Sequence, residues 1–183
     1  MNTLKLTRDR EGVFGVNDEG RTTITFKRSL NHPIDRVWLA ITDAGELAQW
    51  LPMLKTLELK EGGDVILDFS GGDCPPDELN PEDIDHCKVV TFDPPHLIEY
   101  IGPTGGLRFE LNPRGDQSEL TMTATNHPDR GIIYSIVCGW HYYADCLVWQ
   151  LDGVPFNNEG HMDKTTTKIY QYYIDEKVPG FEG

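Results

Sequence analysis

The sequence has 183 residues, a length typical of one domain, and a formal net charge of −14 from 30 acidic and 16 basic residues. This charge disfavours binding to phosphate backbones and anionic membrane surfaces, which carry the same sign. Residues 1–12 contain no long apolar run, and no later stretch is long enough to span a bilayer. We therefore expect a cytoplasmic protein that neither binds nucleic acid nor inserts into membranes.

The four cysteines, Cys74, Cys87, Cys138 and Cys146, form no CxxC pair and no zinc-ribbon spacing. Cys138 and Cys146 would be separated by about 12 Å of helical rise, which is too far for a disulfide. Reduced thiols fit a cytoplasmic protein. The sequence indicates no cofactor.

The first predicted elements are a strand and two short helices. In "RTTITFKRSL", Ile24 and Phe26 alternate with polar residues, which is typical of a strand. Pro33 suits the first turn of a following helix. Asp43, with Glu46 three residues later, has the spacing of a capping box and predicts a second helix.

Six short runs then alternate with turn signals: TLEL, VILDF, KVVTF, HLIEYI, LRFEL and LTMTAT. In the second run, Val65, Leu67 and Phe69 share one predicted face. Short strands joined by tight turns indicate an antiparallel sheet with one apolar face.

The longest helical pattern covers residues 129–152. An apolar stripe around Trp140 predicts that this helix covers the sheet, and Gly153 is a suitable stop. The stripe consists of Ile133, Ile136, Ala144, Leu147 and Leu151. The later run "KTTTKIYQYYIDEK" fits either a last helix or an extended arm.

Three segments resemble one family. "FKRSLNHPIDRVWLAITDAGELAQWLP", "VVTFDPPHLIEYI" and "GWHYYADCLVWQLDG" occur in the order found in the SRPBCC (START-like, birch-pollen-allergen-like) superfamily. They are similar to the branch named after the activator of the heat shock protein 90 ATPase. The matching positions are Pro33, Val37, Trp38, Thr42, Asp43, Leu47, Trp50, Asp93, Pro94, Pro95, Leu97, Gly139, Trp140, Asp145, Leu147, Leu151 and Gly153.

The resemblance implies an α+β helix-grip fold, in which a curved antiparallel sheet wraps around a long C-terminal helix and two short helices follow the first strand. It implies a single START-like domain over residues 1–183, with a core at 21–153 and a tail at 154–183 that packs on the long helix. Superfamily members commonly bind lipids, sterols, polyketides or phenolics in a cavity between sheet and helix.

That cavity supplies the candidate binding residues, which would form an ordinary core in another fold. Tyr100 adds a polar group that could orient a ligand. The candidates are Trp38, Leu67, Phe69, Phe92, Tyr100, Phe109, Met122, Ile133, Trp140, Ala144 and Leu147.

Cys138, His141 and Asp145 share one helix face and are competent zinc ligands. Helical angles place this face away from the apolar stripe, which favours solvated His141 and Asp145 and a packed Cys138 over a metal site. Tyr142, Cys146 and Trp149 lie on the same side. We expect the tail to cover them, and the alternative is a homodimer contact there.

The acidic segment "SGGDCPPDELNPEDIDHC" lacks the EF-hand register, which favours a solvated loop over a cation site. No GxSxG, HExxH or CxxC-type nucleophile is present. The sequence therefore favours a binding protein for a lipid-like or aromatic small molecule. The alternatives are a protein-interaction module, such as a chaperone co-factor, and an enzyme acting on a cavity-bound ligand.

Overall fold

A computed structural model of the chain describes residues 7–69, 83–126, 133–156 and 162–176, without the side chains of residues 126, 133–136 and 162–166. Most of the acidic segment, including Cys74, lies outside the described residues, and so does the side chain of Ile133. No described helix combines the length and the apolar character needed to cross a membrane.

The described residues form one antiparallel sheet in the order β1-β2-β8-β7-β6-β5-β4-β3. The strands are β1 (Val13–Val16), β2 (Thr22–Leu30), β3 (Leu54–Leu57), β4 (Asp64–Asp68), β5 (Ile84–Asp93), β6 (Leu97–Ile101), β7 (Gly105–Arg114) and β8 (Gln117–Asn126). Seven of these strands overlap the predicted runs, β3 only at Thr56 and Leu57. The additional strand, β1, is short and mostly exposed at the sheet edge, so it has no alternating apolar pattern.

Within the described residues, four α-helices accompany the sheet. They are α1 (Ile34–Thr42), α2 (Ala44–Trp50), α3 (Ile133–Leu151) and α4 (Met162–Asp175). The predicted N-cap is confirmed, because Asp43 Oδ1 accepts hydrogen bonds from the backbone N–H groups of Gly45 and Glu46 at 2.9 and 3.0 Å. The Glu46 carboxylate does not complete a capping box and instead binds Arg36 at 3.0 Å. Gly153, with φ +66°, follows the end of α3 as expected.

The strand register aligns the apolar residues of neighbouring strands on one face, which we call the inner face. Phe26 of β2 lies opposite Met122 of β8, which lies opposite Phe109 of β7, which lies opposite Ile98 of β6. All four side chains are buried. Side chains alternate along each strand, so the intervening threonines and charged residues lie on the other face.

Three helices pack against strands of the sheet, and the fourth packs against a helix. Helix α3 packs on β2 and β8, α1 on β7 and β8, and α2 on β3, while α4 packs along α3. An antiparallel sheet gripping a long helix is the predicted α+β helix-grip fold, which is confirmed. The division into one domain over residues 1–183 stays a prediction.

Candidate ligand-binding site on the inner face

The inner face carries one buried hydroxyl near its middle, that of Tyr100 on β6. Tyr100 is 1% exposed, and its hydroxyl has no hydrogen-bond partner among the described residues. Val89 and Leu107 lie opposite it on the two neighbouring strands, and the Phe109 ring centroid is 6.3 Å from its own. Burial raises the pKa of Tyr100, so the phenol stays protonated and can donate a hydrogen bond.

Two polar side chains of β5, Asp85 and Cys87, are buried on the same face. The Asp85 carboxylate accepts hydrogen bonds from the backbone N–H and the hydroxyl of Thr104. Burial and the nearby Asp85 charge raise the pKa of Cys87 to about 12, so this thiol is protonated. A methyl group at Gly102 would overlap Cys87 Sγ and lie 2.9 Å from Asp85 Oδ1, which explains the glycine there. We call Asp85, Cys87 and Tyr100 the β5–β6 cluster.

A second buried polar cluster joins β2 to α3. Arg28, on the inner face of β2, places its Nε and Nη2 atoms 3.1 and 3.0 Å from Asp145 Oδ1. Arg10 Nη2 lies 2.5 Å from the same oxygen. The side chains of Arg28 and Asp145 are each 1% exposed, so two guanidinium groups share one buried carboxylate. Burial lowers the pKa of Arg28, and the charge of Asp145 opposes that effect.

His141 extends this cluster to α4. The Tyr173 hydroxyl accepts a hydrogen bond from the Gly12 backbone N–H at 2.6 Å, and its oxygen lies within hydrogen-bond distance of His141 Nδ1, at 3.1 Å. The other ring nitrogen, Nε2, lies 4.0 Å from Asp145 Oδ2. Burial, followed by the charges of Arg28 and Arg10, lowers the pKa of His141 well below its usual value, so the ring is neutral. We call Arg10, Arg28, His141, Asp145 and Tyr173 the α3 cluster.

The expected position of the trio Cys138, His141 and Asp145 is wrong in one respect. The trio does not face away from the sheet, since the His141 ring lies 5.7 Å from that of Phe26 on β2 and Asp145 binds Arg28. His141 and Asp145 are buried rather than solvated, because β2 and α4 cover sides of α3 that the helical angles left open. Within the described part of the chain, no group of three His, Cys, Asp or Glu side chains is arranged to hold a metal ion.

The predicted cavity residues fall into different environments. Leu67, Tyr100, Phe109, Met122, Ala144 and Leu147 are buried, and Trp38, Phe92 and Trp140 are partly buried against them. Phe69 is 49% exposed, so its expected place on the apolar face is wrong. Strand β4 ends at Asp68, and the alternation that placed Phe69 inside ends with it. Whether the buried residues contact a ligand stays a prediction.

Two surface cavities lie outside this set of residues. One, of about 400 Å³, is lined by Gln49, Gln150 and residues 153–156 at the end of α3. The other, of about 280 Å³, lies between α2 and β3 and is lined by residues such as Leu47, Leu54 and Lys55. Neither is lined by a residue predicted to form the cavity.

Part of the aromatic surface expected to meet the tail or a second subunit is covered within the chain, with Tyr142 buried and Trp149 partly buried. Tyr142 is 4% exposed, and its ring packs against those of Tyr143 and Trp149. The Trp149 ring lies 6.0 Å from that of Phe156, which follows α3 in the chain. Tyr142 therefore offers almost no surface to a second molecule.

The sequence interpretation missed Arg10 and Arg28, and it expected the tail that contains Tyr173 to cover α3 without giving the Tyr173 hydroxyl a role. For Arg28 a signal exists, because it continues the alternation of Ile24 and Phe26 and so occupies an inward position. A charged side chain at such a position requires a buried partner of opposite charge. Arg10 and Tyr173 lie in segments without a clear apolar period, so the pattern gave no comparable signal.

The chain matches a known family over most of the region described above. Residues 31–151 match the family model described as Activator of Hsp90 ATPase homolog 1-like protein. The chain belongs to this family. The match confirms the resemblance seen in the sequence, while no curated protein sequence matches the chain.

Solved structures share the fold at low sequence identity. EF2215 from Enterococcus faecalis, a conserved protein of unknown function, is 14% identical with a TM-score of 0.68 over 90% of this chain and 91% of its own. CalU16 from Micromonospora echinospora is 19% identical with a TM-score of 0.67, over 90% and 96%. The Aha1 dimer from Colwellia psychrerythraea is 15% identical with a TM-score of 0.56, over 70% and 95%. These likenesses concern the fold.

Proposed function

We propose that the protein binds a hydrophobic small molecule between the inner face and α3, with the Tyr100 hydroxyl as its polar contact. The observation that carries this proposal is the buried hydroxyl without a partner. Leaving such a group unpaired costs about 1–3 kcal/mol. A bound molecule that supplies a hydrogen-bond acceptor would offset this cost.

The surroundings of Tyr100 support the same function. Val89, Leu107 and Phe109 are buried beside it, so a ligand in contact with the hydroxyl would otherwise meet apolar surface. Binding sites for small molecules are typically apolar with a few placed polar groups. The β5–β6 cluster offers that combination. The α3 cluster differs because each of its side chains is already bonded through at least one polar atom.

Titration with N-phenyl-1-naphthylamine, a neutral hydrophobic fluorescent probe, tests the proposal. We expect saturable fluorescence enhancement with one site per chain. A probe that binds only the folded state also raises the melting temperature, because it stabilises by about 2.7 kcal/mol at a hundredfold excess over Kd. If fluorescence does not saturate and the melting temperature does not shift up to the solubility limit of the probe, the result counts against a hydrophobic binding site.

Two variants locate the site. Leu107→Trp places a larger side chain beside the Tyr100 hydroxyl and should block binding of the probe, because Leu107 lies directly opposite Tyr100. Tyr173→Phe is the control, since it removes a buried hydroxyl from the α3 cluster and should leave the Kd of the probe unchanged. Equal loss of binding in both variants, measured where both remain folded, would point to a general packing effect instead.

A second candidate function is that of a chaperone co-factor. The observation that favours it is the family match over residues 31–151, since the family description refers to an activator of the Hsp90 ATPase. Adding the protein to an Hsp90-type chaperone should then raise its ATP turnover. Unchanged turnover together with separate elution of the two proteins would exclude this role.

A further inference from the structure

The charged side chains on the inner face restrict the charge that a ligand of the proposed site can carry. Among the buried described side chains, the one permanent cation is Arg28, and its charge is taken up by Asp145 at 3.0 Å. In the sheet order, β8 and β7 separate β2 from β6. With strands about 4.8 Å apart, Arg28 lies about 14 Å from the β6 strand that carries Tyr100. A negative group at Tyr100 would therefore have no cation beside it.

The groups nearer to Tyr100 are neutral or negative. Tyr100 itself and Cys87 are protonated, for the reasons given above, and no described cation contributes to the raised pKa of Tyr100. Asp85 is buried two residues before Cys87 on β5, and its partners at Thr104 are a hydroxyl and a backbone N–H. None of these groups offers a positive charge to a ligand carboxylate.

We infer that the ligand is electrically neutral and presents a hydrogen-bond acceptor, such as a ketone or ether oxygen, to the Tyr100 hydroxyl. This inference rests on the proposed function and specifies the class of molecule. Burying a carboxylate without a counter-charge is strongly unfavourable, whereas a neutral carbonyl loses little and gains one hydrogen bond. Free fatty acids and other hydrophobic carboxylates in their ionised form are therefore poor ligands.

Three naphthalenes of similar size test the inference by displacement of N-phenyl-1-naphthylamine: 2-acetylnaphthalene, 2-naphthoate and 2-ethylnaphthalene. At about pH 8 the naphthoate is ionised and the other two are neutral. We expect the ketone to displace the probe at a concentration at least about tenfold lower than the naphthoate does. The hydrocarbon should lie between them, because it fills the same space without a hydrogen bond or a charge.

Tyr100→Phe is the deciding variant. It should weaken binding of the ketone by about five- to tenfold and leave binding of the hydrocarbon unchanged, because only the ketone loses a hydrogen bond. Tyr173→Phe should change neither the affinity for the ketone nor the affinity for the hydrocarbon. If the naphthoate binds as well as the ketone, or if Tyr100→Phe weakens ketone and hydrocarbon equally, the inference is overturned while the proposed function stands. Failure of the parent probe to bind would overturn both.

Discussion

The α3 cluster and the β5–β6 cluster are two buried polar groups on one sheet face, and they differ in how their polar atoms are paired. In the α3 cluster, Arg28 and Asp145 pair with each other, and His141 bonds with Tyr173. In the β5–β6 cluster, the single polar atom of Tyr100 has no described partner. The first arrangement is typical of a structural tie between elements. The second is the kind of group that a ligand completes.

Pairing in the α3 cluster is not complete at every atom. Arg10 Nε, His141 Nε2 and Asp145 Oδ2 have no hydrogen-bond partner among the described residues, and Arg28 Nη2 is in ion-pair contact with Asp145 without a hydrogen bond of its own. Each of these side chains is nevertheless hydrogen-bonded through another polar atom. Changes in this cluster should therefore mainly alter stability, whereas changes at Tyr100 should mainly alter binding.

The largest expected effect follows from Asp145→Asn. This substitution leaves the buried Arg28 guanidinium without its counter-charge and should lower the free energy of unfolding by about 3–5 kcal/mol. Urea denaturation followed by circular dichroism measures the change. The double variant Arg28→Met with Asp145→Leu removes the fully buried pair and leaves only the more exposed Arg10 without its partner, so it should lose much less stability. A double variant as unstable as Asp145→Asn would show that packing, and not charge, dominates here.

Tyr173→Phe should have the next largest effect. It leaves the Gly12 N–H and His141 Nδ1 without their partner, and such a loss costs about 1–3 kcal/mol. The same denaturation experiment measures it. An unchanged midpoint would mean that the Tyr173 hydroxyl does not tie α4 to α3.

The pH dependence of stability reports on His141. Its pKa is lowered in the folded state, so below about pH 6.5 the unfolded chain binds the additional proton and stability falls as the pH falls. The slope contributed by this one group approaches about 1.4 kcal/mol per pH unit. His141→Asn keeps a polar group that can hydrogen-bond with Tyr173 and should remove this slope. Identical slopes in variant and parent between about pH 6.5 and 5 would contradict a neutral buried His141.

The smallest expected effect on stability is that of Tyr100→Phe. Removing a buried hydroxyl without a partner should leave the ligand-free protein as stable as before, or more stable by about 1 kcal/mol. Denaturation without ligand measures this, in direct contrast to Tyr173→Phe. A loss above about 1 kcal/mol would show that the hydroxyl is satisfied in the folded protein, and the distinction between the clusters would fail.

The sequence predicted the strands and helices whose signals are local, such as alternating apolar residues and helix caps. Alternating residues such as Leu107 and Phe109 gave β7, and the Asp43 cap gave α2, because these signals arise within a few residues. They could not give the α3 cluster, in which Arg10, Arg28, Asp145 and Tyr173 come from distant segments. The helical angles of α3 also gave a wrong exposure for His141 and Asp145, because they describe one helix alone and not β2 and α4, which cover it.

The same limit applies to the candidate site. Tyr100 was predicted as an inward residue with a polar group, and burial on the inner face fits that expectation. That its hydroxyl has no partner depends on which side chains of β5 and β7 surround it. No spacing in the sequence specifies those surroundings. The charge balance that disfavours an anionic ligand likewise depends on a pairing between β2 and α3.

The hydrogen bond between Gly12 and the Tyr173 hydroxyl has a consequence for the order of folding. It joins residues 161 positions apart, whereas the hairpin of β7 and β8 turns within a few residues. Closing so long a loop is entropically costly before the intervening sheet exists, so this contact should form late. The segment around Gly12 and helix α4 should therefore detach together as one unit, with shared amide exchange rates, while the central strands stay protected.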